Sequence, residues 1–546
     1  MKKLLLYASF FLIGSNYAQI NSFVGLNENS IHCKVNSNGM LFNDVLNASP
    51  GFGVEYNLPL YTIYANFMAF GGVGTNGDLV MTTPNYNYQL ASGPLTVMPG
   101  TATATNEAYG VADITQARSD YWSQIFVIEK AEIDEFLDYR ACLNDPNCDE
   151  AASFPGYQIP MSIQNWPAHG DTTFDEPYNL APYVDANNDD AYNPNDGDFP
   201  CMKGDVYAWF VVNNFLVDPS IVTTSKGTEI QVEVYQYDGS LSDPSLENTV
   251  FVGYDVINRS TALLNDFYFM NFTDLDIGNS NDDYYGSLPN QNAYFGYNGD
   301  FVDEHSGGQN GFDSELPAQG IMCLNHNLNS VSALNPSQAN YLEYYNVMRG
   351  YNGDGSMKYF PGTTVQTNFS FPYTSTTPFN WTESNIDGNG TVGMPGDRRA
   401  QGSVGPFTLT AGKKIELDFA FVYANAYQEG QGNEVSIATL MNSLTEVQQF
   451  YDTQHTTCSG GYLNVEETED LTLEIYPNPT ENIINVVNSE NVEMTALLYS
   501  LQGSLVLQQE VNGSGQLDIS SLENGAYLLK VFSEKGSYES FKILKK

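Results

Sequence analysis

The sequence predicts a mainly β chain: a large β-sandwich-like body with two helices, followed by a small Ig-like seven-strand sandwich. Three observations carry that prediction. Apolar residues alternate at period two in residues 232–237, 251–257 and 415–421. Asn-Gly turn signals recur at Asn38-Gly39, Asn76-Gly77, Asn298-Gly299 and Asn352-Gly353. With 42% hydrophobic and 13% aromatic residues, the chain has enough apolar side chains for extensive cores.

The elements follow in order. Lys2 and Lys3 precede an apolar run at 4–13, and Ala18 offers a small residue for cleavage, so residues 1–18 form a signal peptide. That run is too short to span a bilayer, and no later segment reaches the necessary length. The β-rich body covers residues 19–462. Within it, residues 129–141 place Ile133, Phe136 and Leu137 on one helical face. Residues 436–451 do the same for Ile437, Leu440, Met441, Leu444 and Val447. A possible subdivision lies near 215–228. Residues 463–471 form an acidic linker, and 472–546 form the terminal sandwich. There, alternation in 483–487 and 496–499 fits a sheet with one buried face.

Charge removes one class of function. Sixty-five acidic residues face 20 basic ones, for a net charge of −45. No basic stripe offsets this, so a nucleic-acid partner is excluded. Six cysteines in an exported chain favour disulfides, with Cys142 and Cys148 the best candidate pair. For the other four, three connectivities remain open. No C-x-x-C spacing points to zinc or redox chemistry.

The strongest local constellation lies at 185–198. Asp185, Asn187, Asp189 and Asp196 take positions 1, 3, 5 and 12, with Ala191 at position 7, where such loops use a backbone carbonyl, and Asp198 beyond. One short loop wraps calcium with six to eight oxygens at this spacing. It departs from the EF-hand: Asp190 stands where glycine is usual, Asp196 replaces a bidentate Glu, and Pro194 interrupts the loop. The competing reading is an Asn/Asp-rich turn whose side chains cap their own backbone. A second cluster holds Asp274, Asp276, Asp282 and Asp283, with Asp300, Asp303 and Glu304 following; carboxylates this dense repel unless solvated or bridged by a cation. Asp387 to Thr391 is a weaker third candidate.

Enzyme signals are sparse. There is no H-E-x-x-H pair and no G-x-S-x-G elbow. His169, two residues before Asp171, is the most suggestive titratable residue, although a structural histidine in a turn is the commoner case. No catalytic residue is assigned. A surface hydrolase acting on polysaccharide or protein remains the alternative, since two suitably spaced carboxylates would suffice.

The tail carries a specific set of residues: Tyr476-Pro477-Asn478-Pro479, then Asp518, Gly525, Tyr527 and Lys542 ahead of a Lys-rich terminus. It resembles the type A C-terminal sorting domain of cargo exported by the type IX secretion system of Bacteroidetes. The resemblance implies passage across the outer membrane, recognition by the secretion machinery, and removal of the tail by its sorting protease. Attachment of the body to surface lipopolysaccharide would follow. The body, through Trp166-Pro167-Ala168-His169-Gly170, Gly204-Asp205 and Gly396-Asp397-Arg398-Arg399, resembles an uncharacterised class of large secreted Bacteroidetes proteins. For the body the sequence points to a calcium-stabilised surface protein with a binding or adhesive role toward an unidentified glycan or protein ligand.

Overall fold

Alternating side chains along one strand explain the architecture. In Val206–Asn213 every residue is buried. Val206, Ala208, Phe210 and Val212 enter one apolar core, while Tyr207, Trp209 and Val211 enter another. Successive side chains of a strand point to opposite faces, so this sheet is covered on both. The structure is a computed structural model that describes residues 22–55, 60–83, 98–101, 114–215, 227–238, 245–306, 308–334, 339–373, 381–426, 432–454, 473–488, 493–500, 505–512, 514–522, 524–533 and 538–546. The signal peptide and the acidic linker lie outside these residues. Contacts divide the chain into two compact units, Met1–Gly461 and Tyr462–Lys546.

Two large antiparallel sheets build the body. The first runs Phe23–Leu26, His32–Asn36, Phe52–Glu55, Leu60–Gly74, Leu264–Leu275, Arg398–Leu409 and Leu328–Ala333, with Leu79–Thr82 on the long fourth strand. The second runs Asp283–Leu288, Ala293–Asn298, Ala318–Cys323, Lys414–Ala424, Thr249–Asn258, Thr228–Gln236, Val206–Asn213 and Met98–Pro99, with Phe126–Glu129 also on Val206–Asn213. Phe52, Phe70, Phe267 and Phe269 of the first sheet share a core with Val232, Val252, Phe419 and Phe421 of the second, which makes a β-sandwich. The three alternating segments of the sequence are Thr228–Gln236, Thr249–Asn258 and Lys414–Ala424. Strands on either side of 215–228 pair directly, so both halves of the body contribute to one sheet.

Helices close the outer faces. Glu434–Gln454 lays Ile437, Leu440, Leu444 and Val447 on the second sheet. Gly320 permits the close approach, because a Cβ there would stand 2.8 Å from a Leu440 methyl carbon. Lys130–Asn144 starts with a capping box between Glu129 and Glu132, two residues that satisfy each other's backbone N–H groups. These two longest helices are the two that periodicity predicts. Among the described residues four shorter ones have no such sequence signal: Gln116–Tyr121, Glu150–Ser153, Met161–Gln164 and Tyr341–Met348. Each is too short to display a period. The last packs Tyr344, Tyr345, Val347 and Met348 against Phe67, Met270 and Phe272 on the outer face of the first sheet.

Cys142 and Cys148 form the expected disulfide, and Cys201 is also disulfide-bonded. Cys33 and Cys323 are free thiols buried in the sandwich core, contrary to the expectation that an even count pairs throughout. In the terminal unit, Leu473–Tyr476, Ile483–Asn488 and Ser514–Asp518 form one sheet. Leu505–Asn512, Glu493–Ser500, Gly525–Ser533 and Tyr538–Lys545 form the other. Ile484, Val486, Leu498, Leu517, Leu529 and Ile543 fill the space between. This is the predicted seven-strand sandwich.

Buried charges are mostly paired. Arg118 reaches Glu176 at 2.7 Å, with Trp122 Nε1 donating to the same oxygen, and Arg259 reaches Glu229 at 2.8 Å. Lys358 differs: its Nζ donates only to Val331 O and Ser332 Oγ, at 3.2 and 3.1 Å. Burial lowers its pKa to about 8. A lowered lysine pKa means that the folded state binds fewer protons than the unfolded chain between about 8 and 10.5, so stability rises with pH there. Lys358→Met should therefore be more stable than wild type at pH 7. That advantage should shrink by up to about 3 kcal/mol as pH rises through this window. Thermal unfolding at stepped pH checks this; an advantage constant across the window would contradict it.

Candidate metal centres and sorting signal

The loop 185–198 is closed at its base by pairing of Tyr183–Val184 with Phe199–Pro200. Within it, one carboxylate oxygen each from Asp185, Asp189 and Asp198 lies within 4.8 Å of the others. Backbone amides wind the loop around them. Asp189 and Asp190 donate to Asp185 at 3.2 and 2.8 Å, Ala191 donates to Asp189 at 3.0 Å, and Ala186 and Asn193 each donate to Asp198 at 2.8 Å. Asn188 and Asp190 take φ values of 59° and 61°, so Asp190 adopts the left-handed turn that glycine supplies in an EF-hand. Asn187 lies beside the group, bonded to Asp189 through both its amide atoms.

One expected ligand, Asp196, lies outside this carboxylate group. A tight turn, with Asp196 N donating to Asn193 O and Gly197 N to Pro194 O, swings Asp196 outward. There its carboxylate accepts from Asn193 Nδ2 at 2.5 Å. Asp198, two residues on and fully buried, takes the inward place. Ala191 enters this network through its N–H. Burial raises the proton affinity of Asp198, and the neighbouring Asp185 and Asp189 add to that rise.

The second cluster lies where the chain crosses from Leu264–Leu275 of one sheet to Asp283–Leu288 of the other. Asp274 and Asp276 converge with Asp397, which sequence spacing does not group with them because 120 residues intervene. Arg399 lies among them, 3.3 Å from Asp274 and 2.7 Å from Asp397, and supplies part of the counter-charge. Asp276 is left with only Gln309 Nε2 at 3.3 Å, and burial together with Asp274 raises its pKa well above the carboxylate range. Asp283 is fully buried; its Oδ2 accepts from Ile277 N at 3.1 Å, and its Oδ1 has no hydrogen-bond partner among the described residues. Burial raises its pKa strongly as well. Asp282 Oδ1 is likewise unpartnered, and burial with Asp300 and Glu304 nearby pushes Asp282 up to about 6. Asp303, also fully buried, accepts from Asn279 N and Phe312 N and is pushed up to about 7 by burial. Gly278, with φ 65°, passes so close to its carboxylate that a Cβ would stand 2.1 Å from Asp303 Oδ2.

Asp387 accepts from Asn389 N, Thr391 N and Thr391 Oγ1 in an exposed turn, with no second carboxylate grouped beside it among the described residues. His169 is a structural pin. Its Nδ1 meets Tyr178 O at 3.1 Å and its Nε2 accepts from Tyr192 N at 3.0 Å, while its ring stacks on Tyr178. Asp171 turns away to cap its own backbone at Thr173.

In the terminal sandwich, the distant parts of the sorting signal meet. Asn478 Nδ2 donates to Lys542 O at 2.6 Å, and Leu544 N donates to Asn478 Oδ1 at 3.0 Å. Thr480 pairs with the same strand through Leu544 O and Lys546 N. Tyr476 is half exposed; Tyr527 is buried opposite Ile543. Asp518 caps Ser520 N, and Gly525 starts the strand that pairs with Lys545.

Residues 474–546 match the family model described as "Secretion system C-terminal sorting domain". The chain is therefore a type IX cargo protein, exported to the cell surface or the extracellular space. No helix among the described residues is long and apolar enough to cross a membrane. No curated protein matches the chain. Among solved structures, a DUF3244 family protein from Bacteroides vulgatus with an immunoglobulin-like β-sandwich is 12% identical, over 14% of this chain and 88% of that one, at a TM-score of 0.13. A polysaccharide lyase is 8% identical, over 62% of this chain and 38% of that one, at a TM-score of 0.20.

The clamp at Asn478 is testable. Asn478→Ala removes both side-chain hydrogen bonds to the final strand, at a cost of about 1–2 kcal/mol. Hydrogen exchange at the Leu544 amide should accelerate by about tenfold; unchanged protection would mean that the turn and strand hold together without Asn478.

Proposed function

We propose that the body of this type IX cargo is a calcium-stabilised surface protein with a binding or adhesive role. One observation carries the reading. Asp185, Asp189 and Asp198 converge within 4.8 Å, and no Lys or Arg pairs with them among the described residues. Arg140, the cation bonded to this loop, donates to Asn195 O instead. Three carboxylates brought together in this way favour a hard divalent cation with oxygen ligands, and calcium tolerates the irregular geometry of such a loop. The crossing at Asp274, Asp276 and Asp283 supports a second ion, since Arg399 offsets only part of its charge. The hydrolase alternative loses its best residue, because backbone groups engage both nitrogens of His169.

An ion that binds only the native fold stabilises it by about 2.7 kcal/mol at a hundredfold excess over Kd. For a body of this size that is a rise of about 3 °C in Tm on adding calcium to chelator-treated protein. Asp185→Ala/Asp189→Ala should lower Tm by more in calcium than in EDTA, where only the backbone caps of the loop are lost. An equal drop in both would show that the three carboxylates serve only to cap the loop. Export has its own test. Deleting residues 474–546 should hold the protein in the periplasm, whereas normal surface display would refute the sorting assignment.

A further inference from the structure

Exposed apolar side chains are scattered singly over most of the body, but one region concentrates them. Met394 and Phe301, 86% and 76% exposed, are the two most exposed large hydrophobic residues among those described. They belong to different loops that touch. Pro395 packs over Gly299, where a Cβ would stand 2.9 Å from the proline ring. Val302 and Val392, close to them in sequence, are also exposed.

The two loops are held rigidly. Arg398 is bound by Glu383 through Nε at 3.0 and 2.9 Å and donates to Met394 O at 2.5 Å. Tyr284 Oη donates to Gly393 O at 2.7 Å, and Gly396 N donates to Asp283 O at 3.0 Å. Asp300 and Glu304, both exposed, flank Phe301 in the chain, and Gly299 N donating to Asp282 O at 2.6 Å fixes the start of their loop. No Lys or Arg pairs with either acid among the described residues.

We propose that these two loops form a docking surface for a basic protein segment carrying apolar anchors. The proposal rests on the binding reading above and names its partner class. Phe301 and Met394 supply the apolar contact, and Asp300 and Glu304 accept the partner's Lys or Arg groups. Charge selects this occupant. A neutral glycan brings no cation to these carboxylates, and an anionic lipid surface is repelled by a chain of net charge −45.

The test uses the full chain and two synthetic peptides of equal charge, an amphipathic Leu/Lys peptide and an all-Lys peptide, followed by calorimetry. Wild type should bind the Leu/Lys peptide about tenfold more tightly, and Phe301→Ser/Met394→Ser should abolish that preference with no change in Tm. Asp300→Asn/Glu304→Gln should weaken both peptides and flatten the salt dependence. Equal affinity of wild type for the two peptides, or a preference that survives in the Ser variant, would overturn the proposal. So would a salt dependence untouched by the Asn/Gln variant. These outcomes are independent of the calcium effect on Tm, so the failure of either idea is distinguishable from failure of the other.

Discussion

A sheet buried on both faces governs the body. The strands Val206–Asn213, Thr228–Gln236 and Thr249–Asn258 have no wet side, so something must cover the face that does not meet the other sheet. The helix Glu434–Gln454 and the long segment around Trp166 and Phe199 provide that cover. Polar residues caught on the covered face need partners. Glu233 receives Lys203 at 2.7 Å, and Asp418 receives Tyr451 Oη and Asn325 Nδ2 at 2.5 and 3.0 Å. A buried carboxylate without such donors would cost several kcal/mol.

The same rule explains why the acidic crossing stands out. Glu176, Glu229 and Glu383 each have a guanidinium; at the crossing, Asp276, Asp283 and Asp303 outnumber Arg399. Burial raises all three pKa values. A raised carboxylate pKa means that the folded state binds more protons than the unfolded one. Its stability is then greatest at low pH and falls as pH rises through the raised values toward about 7. A divalent cation, if held by these oxygens as proposed, would oppose that loss, because it would take over the role that protons play at lower pH.

The candidate site was legible in unequal parts. Asp185, Asp189 and Asp198 belong to one local loop, and the spacing of oxygens along the chain pointed to Asp185, Asp189 and Asp196, with Asp198 beyond. Asp196 looked equivalent to Asp198 in sequence, and only the turn at Pro194 and Gly197 separated an outward residue from an inward one. Asp397 was invisible as a partner of Asp274, since the strand pairing Asp274 with Arg399 is what brings it near. The exposure of Phe301 and Met394 has no sequence signal, because exposed and buried apolar residues read alike.

Local chemistry by itself determined the export address, the strand-rich character, the two long helices and the Asp-rich loop. Periodicity, turn residues and short-range spacing act between neighbours in the chain. Tertiary structure alone decided which strands pair, which cysteines remain free in the core, and which carboxylates lose their solvent without gaining a cation. Those properties depend on contacts between residues hundreds of positions apart, such as the strand Leu60–Gly74 beside Leu264–Leu275. Burial is a property of the assembled sandwich, and no residue carries it in isolation.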